Sequence, residues 1–106
     1  MKAPQICLSE AAVADILEQA EWYEAQADQK LAKRWEKAVT STLLRISRGP
    51  HAGSPCNFSA TELRGARRVP VAGFPKHLVF YQSYPDEIVV LRIVHGARDL
   101  ESLFPE

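Results

Sequence analysis

Six cations crowd the second half of this chain, Arg64, Arg67, Arg68, Lys76, Arg92 and Arg98, with His95 placed among them. A guanidinium is a planar fork of donors that matches phosphate or carboxylate oxygens, so several held together read as anion recognition. Taken singly, each arginine also has an ordinary use in solubility and edge protection. His95 ends an apolar run, residues 88–94, that only Arg92 interrupts, and Gly96 follows it. An imidazole at a strand end can exchange protons near neutral pH. It can equally be structural, donating to a backbone carbonyl.

Such groups need a rigid carrier. Three successive strands are expected at about 61–71, 77–83 and 87–94, with Tyr84-Pro85-Asp86-Glu87 as a tight hairpin turn. Alternation then puts Arg64 and Arg68 on one face and Arg67 on the other, unless a bulge intervenes. Pro70 and Gly73 mark an irregular end to the first of these strands.

Ahead of them, residues 5–8 are a short candidate strand, and Ser9 is placed to cap a helix whose first residue, Glu10, suits the dipole. Val13, Ile16, Leu17, Ala20, Tyr23 and Ala27 follow helical spacing. A second helix is expected over about 29–48, with Leu31, Ala32, Trp35, Val39, Leu43 and Ile46 on one face, a basic last turn, and Gly49-Pro50 as its stop. Trp22, Tyr23 and Trp35 are expected to pack between this helical hairpin and the sheet, while His51 and His77 look incidental. Residues 50–59 form a loop rich in Gly, Pro, Ser and Asn. The order is β-α-α-β-β-β: an α+β domain over residues 1–106, its helical hairpin packed on one face of a small, mostly antiparallel sheet.

The strand at 87–94 is apolar on both parities, which implies that both its faces are covered. With helices on one side only, the other side is expected to need a partner, and the isolated domain to self-associate. Leu100, Leu103 and Phe104 are candidates for a short covering turn.

A chain of 106 residues with 46% hydrophobic and 25% charged residues is a single soluble domain with an ordinary core. It has no apolar run long enough to span a bilayer and no signal-peptide pattern behind Lys2. Cys7 and Cys56 make no disulfide framework and lack metal-ligand spacing, so no metal or other cofactor is expected, and a reducing cytoplasmic setting fits. Cys7, beside Ile6 and Leu8, reads as a small buried hydrophobe. The net charge of zero conceals segregation. Glu10, Asp15, Glu18, Glu21, Glu24 and Asp28 precede Lys30, Lys33, Arg34, Lys37, Arg45 and Arg48, with only Glu36 among the latter.

Taken together, the element order, the Arg-containing strand before Phe74-Pro75, the motif Leu78-Val79-Phe80-Tyr81, and above all the ending His95-Gly96-Ala97-Arg98-Asp99 resemble the RelE/ParE superfamily of bacterial type II toxins. The resemblance spans nearly the whole chain. It implies a small cytoplasmic toxin, neutralised by a cognate antitoxin encoded beside it and held with it in a hetero-oligomer. Within the superfamily, ParE-like members (the plasmid-stabilisation type) poison DNA gyrase by binding. RelE-like members are ribosome-dependent messenger-RNA endoribonucleases.

Cleavage requires a base for the 2′-hydroxyl, an acid for the leaving oxygen and positive charge on the phosphate. The resemblance would give such a role to His95, Arg68 and Arg98, with Glu62 or Tyr81 as base. The aromatic residue that often accompanies the terminal histidine in nuclease members is replaced here by Gly96, which favours the ParE-like reading. In that reading Arg64, Arg67, Arg68, Lys76, Tyr81, Arg92 and Arg98 bind the target or the antitoxin. A degenerate member that keeps only antitoxin binding is a third possibility.

Overall fold

In the structure, a computed structural model, residues 4–96 are described. Strand β1 (Gln5–Leu8) leads straight into helix α1 (Glu10–Gln26), which a two-residue break separates from helix α2 (Gln29–Arg48). A two-residue strand, β2 (Ser54–Pro55), and a 3-10 turn at Thr61–Leu63 precede strands β3 (Arg67–Val71), β4 (Phe74–Ser83) and β5 (Glu87–His95). The sheet order is β1-β5-β4-β3-β2, with β1 parallel to β5 and every other pairing antiparallel. This is the expected α+β architecture, with β2 added at one edge. Among the described residues, no helix is long and apolar enough to cross a membrane.

Ser9 caps α1 as expected, its hydroxyl oxygen accepting from the Ala12 N–H at 3.0 Å. Asp28 does the same for α2, accepting from Leu31 N–H at 2.8 Å. Gly49 closes α2 by donating to the carbonyls of Arg45 and Ile46. The face of α2 carrying Ala32, Trp35, Val39, Leu43 and Ile46 is buried against Val71, Val79, Tyr81, Ile88, Val90 and Ile93. Burying each large apolar side chain contributes about 1.5–3 kcal/mol, so this interface is the main source of stability.

Helix α1 is rotated from its expected phase. Ala12, Asp15 and Ala20 are buried, whereas Val13 and Leu17 are 39% and 55% exposed. The cause lies in β5. Strand β1 ends at Leu8, opposite Val90, so the outer edge of β5 beyond that point has no strand beside it. Helix α1 supplies the missing partners. Ser9 N–H donates to the Val90 carbonyl, the Ser9 hydroxyl donates to the Leu91 carbonyl, and the Asp15 carboxylate accepts from Ile93 N–H at 2.9 Å. Unpaired backbone groups at such a buried edge would be costly, and this need overrides the weak apolar stripe of α1.

The sheet face away from the helices is closed by the chain itself, contrary to the expectation of a bare apolar patch. Residues 56–66 fold over it: the Phe58 ring lies 6.2 Å from that of Phe80, and Leu63, Ala66, Phe80 and Val94 are buried. Gln82 is buried there too and donates to the carbonyls of Glu62 and Arg64. The exposed large apolar side chains are elsewhere, chiefly Val13, Leu17 and Trp22 on α1 and Leu44 on α2. Leu100, Leu103 and Phe104 lie outside the described residues.

Acidic residues line the solvent side of α1 (Glu10, Glu18, Glu21, Glu24), and basic ones that of α2 (Lys30, Lys33, Lys37, Arg45, Arg48). No ion pair joins the two helices among the described residues; the one present there links Arg92 to Asp15.

Candidate functional site

The structure sorts the expected cations into three groups. Arg64, Arg68 and Lys76 are exposed. Arg64 follows the 3-10 turn rather than lying on a strand, since Gly65, at φ 77°, turns the chain before β3 begins. Arg67 and Arg92 are committed internally. The Arg67 guanidinium donates to the carbonyls of Gly53 and His51 at 2.7 and 3.2 Å, pinning the loop after α2. Arg98 lies outside the described residues.

Arg92 sits at a bulge. Phe80 is opposite Arg92 and Tyr81 is opposite Val90, which leaves Leu91 as the extra residue. From there its guanidinium reaches the Asp15 carboxylate through two hydrogen bonds of 2.8 Å, with the Arg92 and Asp15 side chains 18% and 7% exposed. That bonding raises the Arg92 pKa above the ordinary arginine value despite partial desolvation. Arg92 is thus a bolt between α1 and β5, its guanidinium engaged by Asp15.

Tyr81, expected at the binding surface, is fully buried, and its hydroxyl donates to the Pro50 carbonyl at 2.8 Å. Burial pushes its phenol above the usual range. Gly53 makes this possible, because a Cβ there would collide with the Tyr81 hydroxyl. Cys7, expected as a buried hydrophobe, is half-buried, and its thiol donates to the Glu87 carboxylate at 3.3 Å. That hydrogen bond, followed by desolvation, raises the thiol pKa.

His95 is exposed at the end of β5, opposite His77 at the start of β4. His77 lies on the helix side of the sheet, its ring 4.9 Å from Trp35, 6.5 Å from Tyr23 and 5.5 Å from His95. Burial, then the neighbouring His95, lowers its pKa below the usual imidazole value. Arg68 pairs with Phe80, three residues from His77 along β4. Successive side chains alternate, so Arg68 points to the face opposite His77 and His95. The structure therefore does not bring Arg68 and His95 together.

It does bring together residues that the sequence pattern left apart. Between the middle of α1 and the adjoining ends of β4 and β5 is a cleft of about 420 Å³, walled by Glu18, Trp22, Tyr23, His77 and His95 over a floor of Ile93 and Val94. Trp22 was expected in the core but is 57% exposed, edge-on to Tyr23 at 5.7 Å. The His77–His95 pairing had a signal: a hairpin turning at residues 84–87 sets residue 77 opposite residue 94 or 95, depending on the bulge.

The family model described as "ParE toxin of type II toxin-antitoxin system, parDE" matches residues 6–100. No curated protein sequence matches the chain. Among solved structures, the chain is similar to one from the chromosomal ParDE system of P. aeruginosa, with a TM-score of 0.71 and 14% identity over 88% of this chain and 96% of that one. It is also similar to the YoeB dimer of Staphylococcus aureus (TM-score 0.54, 18% identity, 89% of this chain and 98% of that). A YoeB/ParE toxin from Agrobacterium tumefaciens is comparable (TM-score 0.54, 11% identity, 86% and 96%). Identities this low establish a shared fold.

Proposed function

The chain belongs to the ParE toxin family of type II toxin–antitoxin systems, and on that footing we propose that it acts in the cytoplasm by binding a cellular target, DNA gyrase, and is neutralised by a cognate antitoxin. One observation carries the preference for binding over RNA cleavage. Arg68 and His95 project from opposite faces of the sheet, and Tyr81 is buried with its hydroxyl engaged. Cleavage by the 2′-hydroxyl needs a base, an acid and a cation converging on one phosphate, and the described residues offer no such convergence. The exposed Arg64, Arg68 and Lys76 are instead free to engage an acidic surface.

The test is to induce the chain without its antitoxin in a bacterial host, assaying gyrase supercoiling and mapping messenger-RNA ends in parallel. The expected result is loss of supercoiling with intact messenger RNA, weakened when Arg64, Arg68 and Lys76 are replaced by Glu. Codon-positioned cuts on translating ribosomes, abolished by His95→Ala, would overturn the proposal in favour of the ribonuclease.

A further inference from the structure

The cleft between α1 and the paired ends of β4 and β5 has a composition opposite to that of the arginine-bearing surface. Among the described residues, no lysine or arginine lines it. Arg92, which also feels the Glu18 charge, is matched by Asp15 through two hydrogen bonds. That leaves Glu18 as an exposed carboxylate at the rim, on a helix with no basic residue anywhere between Ser9 and Asp28. Four ring side chains line the cleft with it: Trp22, Tyr23, His77 and His95. Trp22 is largely exposed and stands edge-on to Tyr23, and Tyr23 in turn contacts the ring of His77. Burial, then the neighbouring His95, lowers the His77 pKa and so disfavours a positive charge on that ring.

A carboxylate beside aromatic faces in an open cleft suits a cationic side chain. The ring quadrupoles attract the charge, and the carboxylate takes its N–H groups. An arginine fits better than a lysine, because its plane can stack on Trp22 or Tyr23 while its edge bonds Glu18.

We propose that the cleft walled by Glu18, Trp22, Tyr23 and His77 is a docking pocket for a basic side chain, an arginine, on the neutralising antitoxin. This rests on the reading of the chain as a neutralised toxin and extends it: the antitoxin would grip the toxin by two surfaces of opposite charge. Acidic residues would meet Arg64, Arg68 and Lys76, and one basic anchor would enter the cleft by α1. Two anchors of opposite sign also fix the direction in which the partner lies, since the reversed orientation sets like charges together.

The test uses the product of the adjacent reading frame as the antitoxin, titrated calorimetrically against the wild-type chain and against Glu18→Gln and Trp22→Ala variants. Both positions are exposed, and unchanged urea midpoints certify that the variants are folded. At least tenfold weaker binding for each variant is expected. For Glu18→Lys, partial recovery is expected with an antitoxin in which one arginine is replaced by glutamate. Wild-type affinity in both Glu18→Gln and Trp22→Ala would overturn the pocket while leaving the neutralised-toxin reading intact. Failure of the wild-type chain itself to bind the antitoxin would overturn that reading and the pocket with it.

Discussion

Replacing Asp15 by alanine removes three hydrogen bonds at once: two from the Arg92 guanidinium and one from Ile93 N–H. The backbone donor is buried at the strand edge that β1 fails to cover, and leaving such a group unpaired costs about 1–3 kcal/mol. Breaking a fully buried ion pair would cost about 3–5 kcal/mol. Here the Arg92 side chain keeps 18% exposure and can turn to water, so only part of that cost applies. Asp15→Ala is therefore expected to destabilise the fold by about 3 kcal/mol, lowering Tm by about 12 °C or more.

Asp15→Asn retains an acceptor for Ile93 and should lose roughly half as much. Asp15→Ala combined with Arg92→Ala should cost less than the two single losses added, because both remove one shared interaction. Urea denaturation followed by circular dichroism measures the wild type and all four variants, Arg92→Ala included, with m-values required to agree. A loss under about 1 kcal/mol for Asp15→Ala, or strict additivity in the double variant, would refute the view that α1 completes the edge of β5.

Three further outcomes are expected. Gly53→Ala should destabilise by about 2 kcal/mol through overpacking against the Tyr81 hydroxyl. The same change should cost less in a Tyr81→Phe background, which equilibrium unfolding of the two proteins will show. His77 has a lowered pKa from burial and from His95. The unfolded chain therefore binds that proton more readily, so stability is complete above about pH 6.5 and declines as pH falls from there toward the lowered folded value. His77→Phe should flatten that acid limb, and an unchanged limb in a pH series of urea midpoints would exclude this origin. Ser9→Ala should cost about 1–2 kcal/mol, since the one hydroxyl both caps Ala12 N–H and donates to Leu91; a loss near zero by urea denaturation would show that water replaces it.

Much of the fold was legible because periodicity and capping agreed. Trp35, Val39, Leu43 and Ile46 repeat at helical spacing and do face the sheet, and the two-parity apolar run at 87–94 is an interior strand. What failed to show depended on distant partners. Residues 61–66 read as strand, yet Leu63 and Ala66 are apolar because they cover the far side of the sheet, and Gly65 turns the chain between them.

The phase of α1 was misread because its most strongly anchored inward residue is a carboxylate whose partners are 77 and 78 positions away. The same pairing withdrew Arg92 from the surface on which the arginine pattern had placed it. Of the candidate site, Arg64, Arg68, Lys76 and His95 were found in accessible places, whereas Tyr81 satisfies an internal carbonyl instead. The cleft beside His77 was hidden because its walls come from one helix and two strands.

The unpaired partition of acids on α1 and bases on α2 has a physical consequence for approach in solution. Zero net charge gives the molecule no monopole, but two adjacent helices of opposite sign give it a lasting transverse dipole. Near a polyelectrolyte such a particle is rotated before it is drawn in, so its first contacts are selected by torque rather than by chance collision. Screening shortens the range of that torque to about 8 Å at physiological ionic strength. Added salt should therefore slow productive encounters while leaving the folded interior as it was.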